Sequence, residues 1–255
     1  MVRSLSVVAA IAAFAGVAAA QVRINEIFIN PPGTDNGFEF FELRGASSLS
    51  LSGTYLLSIE GDGTAAGTVD AVIDLTGFSL GSNGLFLQRD SATVLNPAPA
   101  AGTTVRVGDF NPDLENGSNT YLLVSMFSGA LGADLDTNND GILDVTPWSS
   151  VLDGISLIEN DGAANFGYAA GLGFTNFGPN ADFNADALVL GVDNVWYGSD
   201  VLGTGTGPFS FDTARMAPFV IEGTLTPGSE NLIPTPGTLA LAGIAGLVAT
   251  RRRRA

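Results

Sequence analysis

The chain contains no cysteine and no histidine, and all ten of its basic residues are arginines. Without cysteine there is no disulfide bond and no thiolate chemistry. Without histidine, the Ser-His-Asp arrangement and histidine-ligated zinc sites are excluded. Stability must therefore come from buried apolar surface, with metal ions bound by oxygen ligands as a further source.

Positive charge is also scarce in the body of the chain. All 26 acidic residues lie between residues 21 and 237, where only five arginines occur, so this part carries a net charge of about −21. Because a phosphate backbone is bound by clustered lysine and arginine, we expect no nucleic-acid binding. A surface of this sign attracts divalent cations instead.

The first twenty residues have the three parts of a secretory signal peptide. Arg3 supplies a positive start, Leu5 to Val17 an apolar stretch, and Ala18 to Ala20 a small-residue cleavage site. This pattern predicts export, with the mature protein beginning near Gln21.

The last residues form a second signal. Pro234-Thr-Pro-Gly237 precedes an apolar run from Thr238 to Thr250, and Arg251 to Arg254 follow it. A helix of this length spans roughly 20 Å, short of the roughly 30 Å of a hydrocarbon core, and the arginines would stay in the cytoplasm.

This order of features resembles the PEP-CTERM sorting signals of bacterial exosortase substrates, although the motif reads Pro-Thr-Pro rather than Pro-Glu-Pro. The resemblance implies a sorting and processing membrane enzyme as a partner, and membrane contact through residues 238–250 that is at least transient. The alternative is a permanent single-span transmembrane helix that anchors the protein.

Between the two signals the sequence predicts an all-β fold. Short runs of Val, Ile, Phe, Tyr and Leu alternate with Gly, Asn, Asp and Pro, as in a sandwich or barrel, and no helical period is sustained. The predicted strands are Val22 to Asn30, Phe38 to Arg44, Thr54 to Glu60, Ala71 to Leu75, Gly84 to Arg89, Thr104 to Val107, Thr120 to Phe127, Val151 to Glu159, Ala187 to Leu190, Asn194 to Tyr197 and Pro218 to Ile221.

The first of these strands has an irregular apolar pattern. Val22 and Ile24 fall on one face of a regular strand, whereas Ile27 and Ile29 fall on the other. A β-bulge near Asn25 would bring all four to one face. A strand buried on both faces explains the pattern equally well.

Residues 22 to about 60 carry a family resemblance. Ile24-Asn-Glu-Ile27, Asn30-Pro-Pro-Gly33, Glu39-Phe-Phe-Glu-Leu43, Leu51-Ser-Gly53 and Tyr55-Leu-Leu57 occur in order and are similar to the opening of the lamin-tail domain. The resemblance implies an immunoglobulin-like β-sandwich of a kind found in secreted bacterial proteins.

Two glutamates lie in one strand of this region. Glu39 and Glu42 are three positions apart, so they face opposite sides of the strand and cannot act as a catalytic pair. One of them must lie beside apolar neighbours, where we expect it to accept backbone N–H hydrogen bonds.

Oxygen-bearing side chains recur at alternate positions around residue 140, as in a calcium-binding loop. Asp136 would be the first ligand, Gly141 the sixth-position turn residue and Pro147 the twelfth position, where an EF-hand has a bidentate glutamate. The alternative is a turn whose side chains bond their own backbone. The predicted calcium ligands are Asp134, Asp136, Asn138, Asp140, Asp144 and the Ile142 carbonyl.

Other patterns favour structural interpretations. Asp109, Asp113 and Glu115 would make a second cation site, but a solvated acidic loop accounts for them better. Trp148, Trp196 and Tyr197 would make a sugar-binding platform, but isolated aromatic residues in an all-β chain more often lie in the core.

The sequence thus predicts a signal peptide (1–20), a lamin-tail-like sandwich (21–160) with a calcium loop near 134–144, a continuation or small β extension (161–228), and a linker with the sorting segment (229–255). We expect an exported, non-catalytic protein of the cell surface or extracellular matrix, with a surface polysaccharide or matrix component as partner and no catalytic residues. The alternative is a calcium-dependent extracellular hydrolase of polysaccharide or phosphoester.

Overall fold

The computed structural model describes residues 21–33, 37–91, 95–160, 164–204, 207–218 and 223–231. They form strands, turns and two short 3-10 helices at Gly63–Ala65 and Ala170–Leu172, so the all-β prediction is confirmed. The strands are β1 (Arg23–Phe28), β2 (Phe40–Arg44), β3 (Thr54–Glu60), β4 (Val69–Asp74), β5 (Leu85–Arg89), β6 (Thr104–Val107), β7 (Asn119–Ser125), β8 (Ser150–Leu157), β9 (Thr175–Phe177), β10 (Ala187–Leu190), β11 (Trp196–Leu202) and β12 (Ser210–Ala217).

Two mixed sheets pack together as a β-sandwich. The larger has the order β12-β11-β10-β1-β2-β5-β6, and the smaller has the order β4-β3-β7-β8-β9. Neighbouring strands are antiparallel, except that β5 pairs with β6 and β8 with β9 in parallel. Strands β9 to β12, from residues 161–228, extend the same two sheets that residues 21–160 build.

The apolar side chains form three layers. The central layer lies between the sheets and combines residues such as Phe41 of the larger sheet with Leu123 of the smaller one. A second layer covers the outer face of the larger sheet, where Phe28 packs with Phe209 and Leu225. A third covers the outer face of the smaller sheet. Both faces of the larger sheet are therefore shielded from water along β1 and β2.

The irregular first strand contains both predicted features. Its register against β2 shifts between Ile24 and Glu26, which is the expected bulge at Asn25. Beyond the bulge, Ile27 faces the central layer and Phe28 faces the outer layer, and both are fully buried. The bulge and burial on both faces are thus complementary features of one strand.

The sequence prediction was wrong at two places late in the chain. Strand β9 was not predicted, since its three residues are too few to show an alternating pattern. Strand β12 runs over Ser210–Ala217 and precedes the predicted strand, because Phe211 and Met216 provide its buried side chains and Pro218 has no N–H to donate. Residues 219–221 of that predicted strand lie outside the described residues.

Both predicted signals also lie outside the described residues, which are 21–33 and the later segments up to residue 231. This applies to the signal peptide at 1–20 and to the tail from residue 232 onward. In the part of the chain that the structure describes, no helix has the length and apolar character needed to cross a bilayer.

Candidate functional site

A pair of glutamates lies under the outer layer of the larger sheet. Glu26 of β1 and Glu42 of β2 are directly opposite each other in the antiparallel register, and both are fully buried. The segment 223–231 lies over them. Thr226 donates its N–H to Glu26 at 3.0 Å, and Gly228 donates its N–H to Glu42 at 2.6 Å. The side-chain amide of Asn25 also donates to Glu42.

Burial controls the charge of this pair. Desolvation raises the pKa of Glu42 to about 8, against smaller opposing effects of the hydrogen bonds from Asn25 and Gly228 and of the Arg44 charge. Desolvation and the neighbouring Glu42 raise the pKa of Glu26 well above its ordinary value. The carboxyl group of Glu42 therefore favours its protonated form near neutral pH, and burial shifts the pKa of Glu26 in the same direction.

Glu39 lies on the opposite side of the larger sheet and is also fully buried. Leu114 donates its N–H to the Glu39 carboxylate at 3.2 Å. The predicted buried carboxylate that accepts backbone N–H bonds is thus confirmed. Glu42 is buried as well, because the larger sheet is covered on both faces.

The predicted calcium loop is organised around Asp136, whose side chain is fully buried. Its carboxylate accepts N–H hydrogen bonds from Asp140 at 3.1 Å and Gly141 at 2.8 Å, and the Tyr168 hydroxyl donates to it at 2.9 Å. Gly141 has φ +83°, a conformation that glycine adopts without strain. The buried carboxylate of Asp136 thus stabilises the turn by hydrogen bonds to its backbone.

The other predicted ligands lie on the exposed side of this loop. Asp144 accepts from the Thr137 N–H and hydroxyl, Asn138 and Asp140 bond to each other, and Asp134 accepts from the Asp136 N–H. In this structure the side chains therefore engage their own loop, as both a calcium loop without its ion and an Asx-rich turn would do.

A different group of carboxylates converges at one end of the smaller sheet. One carboxylate oxygen each from Glu60, Asp70 and Glu115 lies within 4.8 Å of the other two. Among the described residues, this is the group of three acidic side chains that meets this spacing. From the sequence, Glu115 was considered only together with Asp109 and Asp113, and no local pattern joins it to Glu60 and Asp70.

Asp109, Asp113 and Glu115, which the sequence analysis assigned to a solvated acidic loop, are not a converging group among the described residues. Asp109 instead accepts hydrogen bonds from the N–H and hydroxyl of Ser91, which lower the pKa of Asp109. The carboxylate of Glu115 lies with those of Glu60 and Asp70.

A polar cavity of about 420 Å³ lies beside the beginning of β1. Its two arginines, Arg23 and Arg44, are cross-strand partners, and both donate to the side-chain oxygen of Asn194, at 2.9 and 3.2 Å. Arg23 also lies 3.8 Å from Asp153. Among the described residues that line the cavity, Glu230 is the one that carries a carboxylate. The lining residues are Gln21, Arg23, Asn25, Arg44, Gly45, Asn83, Gly84, Leu85, Val192, Glu230 and Asn231.

The three aromatic residues considered as a sugar-binding platform lie in different layers of the fold. Trp196 lies in the central layer, and Tyr197 lies in the outer layer of the larger sheet, so these neighbours point to opposite faces. Trp148 is half-buried against the third layer. The core interpretation is confirmed for Trp196 and Tyr197.

The chain matches no family model, no curated protein and no solved structure, so the function of these sites is inferred from their own geometry.

Proposed function

We propose that this chain is an exported, non-catalytic β-sandwich protein that binds polysaccharide at the bacterial cell surface, at the outer membrane or in the extracellular matrix. The signal-peptide pattern before Gln21 supports export. The ordered motifs between Val22 and Glu60 support an immunoglobulin-like sandwich of the lamin-tail type, with which the two-sheet fold agrees.

The composition of the polar cavity is the observation that carries this proposal. Glycosidases use a pair of carboxyl groups on the two sides of the scissile bond. The described lining of this cavity has one, Glu230, together with two arginines and several amides. Elsewhere in the described fold, Glu39 and Glu42 accept backbone N–H groups from within the protein. This arrangement favours binding over acid–base chemistry.

Hydroxyl-rich chains are the ligands that suit such a lining. Guanidinium groups donate hydrogen bonds, and the exposed amide of Asn83 can both donate and accept. The volume of about 420 Å³ is that of a site for a few sugar units. A strongly anionic polymer is disfavoured, because the whole chain carries a net charge of −16.

Calcium at the loop 134–144 is part of the same proposal. Asp136 accepts N–H hydrogen bonds across the turn, and the exposed side chains of Asn138, Asp140 and Asp144 would rearrange from their bonds within the loop to bind the ion. The affinity would be modest, roughly 10⁻⁴ to 10⁻³ M, because the bidentate twelfth ligand is missing. In this role calcium stabilises the fold and takes no part in a reaction.

The tail completes the proposal. Its apolar run at 238–250 would hold the Pro234-Thr-Pro motif just outside the bilayer, with the terminal arginines inside, while a membrane enzyme of the exosortase type cuts near the motif. The mature protein would then be released from its own hydrophobic segment and displayed or secreted.

Polysaccharide binding is the direct test. Cell-surface polysaccharide from the host should bind the exported protein, and Arg23→Gln should weaken that binding. Arg215→Gln is the matched control, since Arg215 forms an exposed ion pair with Asp200 away from the cavity. Shortening of the polysaccharide during the assay would instead favour the hydrolase.

A further inference from the structure

The three converging carboxylates come from separate parts of the smaller sheet. Glu60 ends β3 and Glu115 lies in the connection from β6 to β7. Asp70 is the extra residue of a bulge in β4, because Ser58 pairs with Ala71 whereas Ile59 pairs with Val69. The bulge leaves Asp70 without a partner in the ladder and brings its carboxylate beside Glu60.

No described basic side chain neutralises this group. The two ion pairs found among the described residues are Arg23 with Asp153 and Arg215 with Asp200, and neither involves these carboxylates. Burial raises the pKa of Glu60 to about 7 and that of Asp70 to about 6, with the nearby Glu115 raising both further. Like charges held this close are unfavourable unless a proton or a cation lies between them.

Tyr121 provides a second and independent observation. Its side chain is fully buried, and its hydroxyl has no hydrogen-bond partner. Tyr121 lies opposite Ser58, and Glu60 lies opposite Asn119, so Tyr121 and Glu60 share the face of the β3–β7 pair that is turned toward the larger sheet. Burial raises the pKa of Tyr121, and the charges of Glu39, Glu115, Glu60 and Asp70 raise it further.

A buried hydroxyl without a hydrogen-bond partner is costly, so the Tyr121 hydroxyl favours a polar group beside it. One side-chain oxygen of Asp70 is likewise buried without a hydrogen-bond partner. The oxygen spacing fits one ion: with Ca²⁺–O distances of about 2.3–2.6 Å, two oxygens on the same ion are at most about 5 Å apart. The oxygen-only donors select a hard cation over zinc or copper.

We propose that Glu60, Asp70 and Glu115 bind one divalent cation, with calcium as the fitting ion and the Tyr121 hydroxyl facing a water molecule on it. The ion joins β3 and β4 to the connection that leads from the larger sheet to the smaller one. This cation site is separate from the loop 134–144, and it does not depend on polysaccharide binding. Its role is to fix Glu115 and the connection against the end of the sandwich.

The test uses the full chain with Asp140→Ala, which removes the other proposed calcium site. Calorimetric titration with Ca²⁺ should still find one ion bound per chain. Adding Glu115→Gln should weaken this binding roughly tenfold or more, because one charged ligand is lost. Asp113→Asn, on the same connection but outside the cluster, is the matched control and should leave the affinity unchanged.

Glu115 is exposed and its charge repels Glu60 and Asp70, so Glu115→Gln should not lower the melting temperature in the presence of a chelator. Tyr121→Phe, which removes only the hydroxyl, should weaken binding in the same background. Two results would overturn the site: no Ca²⁺ bound by the Asp140→Ala chain, or equal affinity with and without Glu115→Gln. Neither result would bear on polysaccharide binding, which is measured with Arg23→Gln.

Discussion

Glu26 and Glu42 lie directly opposite each other on β1 and β2, and each accepts a backbone N–H from the same distant segment. The donors, Thr226 and Gly228, follow Glu42 by more than 180 residues. A buried acidic pair thus fixes the end of the described chain to its first hairpin. The pair is a structural device, and its protonation should govern stability.

The free energy of unfolding should fall as pH rises. An unfolded glutamate loses its proton near the ordinary pKa of 4.5, whereas folded Glu42 keeps its proton until about 8. Between these values the folded state binds more protons, so its stability is full below the lower value and declines as pH passes through the upper one. Asp90 and Asp153, whose pKa values are also raised by burial, act in the same direction.

Glu42→Gln should reduce the difference in the free energy of unfolding between about pH 5 and about pH 8, as measured by urea unfolding. The expected reduction is a few kcal/mol, on the order of the free energy that corresponds to a pKa shift of this size. Asp182→Asn is the control, because Asp182 is exposed. An equally steep pH dependence in Glu42→Gln would show that the pair is not the source.

Gly228→Ala should destabilise the protein more than Gly132→Ala. Both glycines have similar positive φ angles, +77° and +76°, so each substitution bears a similar strain of roughly 1–2 kcal/mol. A Cβ at Gly228 would also lie 2.4 Å from Pro99 Cβ, whereas one at Gly132 would meet nothing within 4 Å. Urea unfolding of both variants should show an additional loss of about 1–3 kcal/mol for Gly228→Ala. Equal losses would mean that segment 223–231 is not packed as described.

Calcium should raise the melting temperature through two sites, the loop 134–144 and the cluster of Glu60, Asp70 and Glu115, whose contributions can be measured separately. At about 10 mM calcium, a site with a Kd near 10⁻⁴ M adds on the order of 2.7 kcal/mol. Asp140→Ala should remove the part due to the loop 134–144, Glu115→Gln the part due to the cluster, and the double variant both. Differential scanning calorimetry with calcium and with chelator measures each part. If Asp140→Ala kept the full shift, the loop would be an Asx-rich turn only.

Processing at both ends should be visible in the mass of the protein taken from its own host. The mature chain should begin near Gln21 and lack the residues after about Gly237. Replacing Arg251 to Arg254 with serine should leave longer protein in the medium, because the tail is no longer held for cleavage. Intact mass that still includes Ala255 on surface protein would identify the tail as a permanent anchor.

Local pattern was sufficient to predict much of the fold. Strands β3, β6 and β10 have the predicted bounds, because their apolar runs are cut cleanly by turn residues. The bulge at Asn25 followed from four apolar positions that no regular strand could place on one face. These features depend on neighbours within a few residues.

Features that depend on distant parts of the chain were not predictable. The burial of both Glu39 and Glu42 requires the segment 223–231 to cover the outer face of the larger sheet. The meeting of Asp70 with Glu115 requires a bulge in β4 and a connection folded back to it. Neither arrangement leaves a periodic trace, since it arises only when the sheets pack.

The polar cavity provides the most direct test of the proposed function. Equilibrium binding of host surface polysaccharide should be measured with the exported protein, with Arg23→Gln and with Arg215→Gln, while the length of the polysaccharide is followed. Arg23→Gln should weaken binding roughly tenfold, as expected for the loss of a charged hydrogen-bond donor. Arg215→Gln should bind the polysaccharide as tightly as the unchanged protein does, and the length of the polysaccharide should stay the same. Equal binding by all three proteins, or progressive shortening of the polysaccharide, would contradict the proposed function.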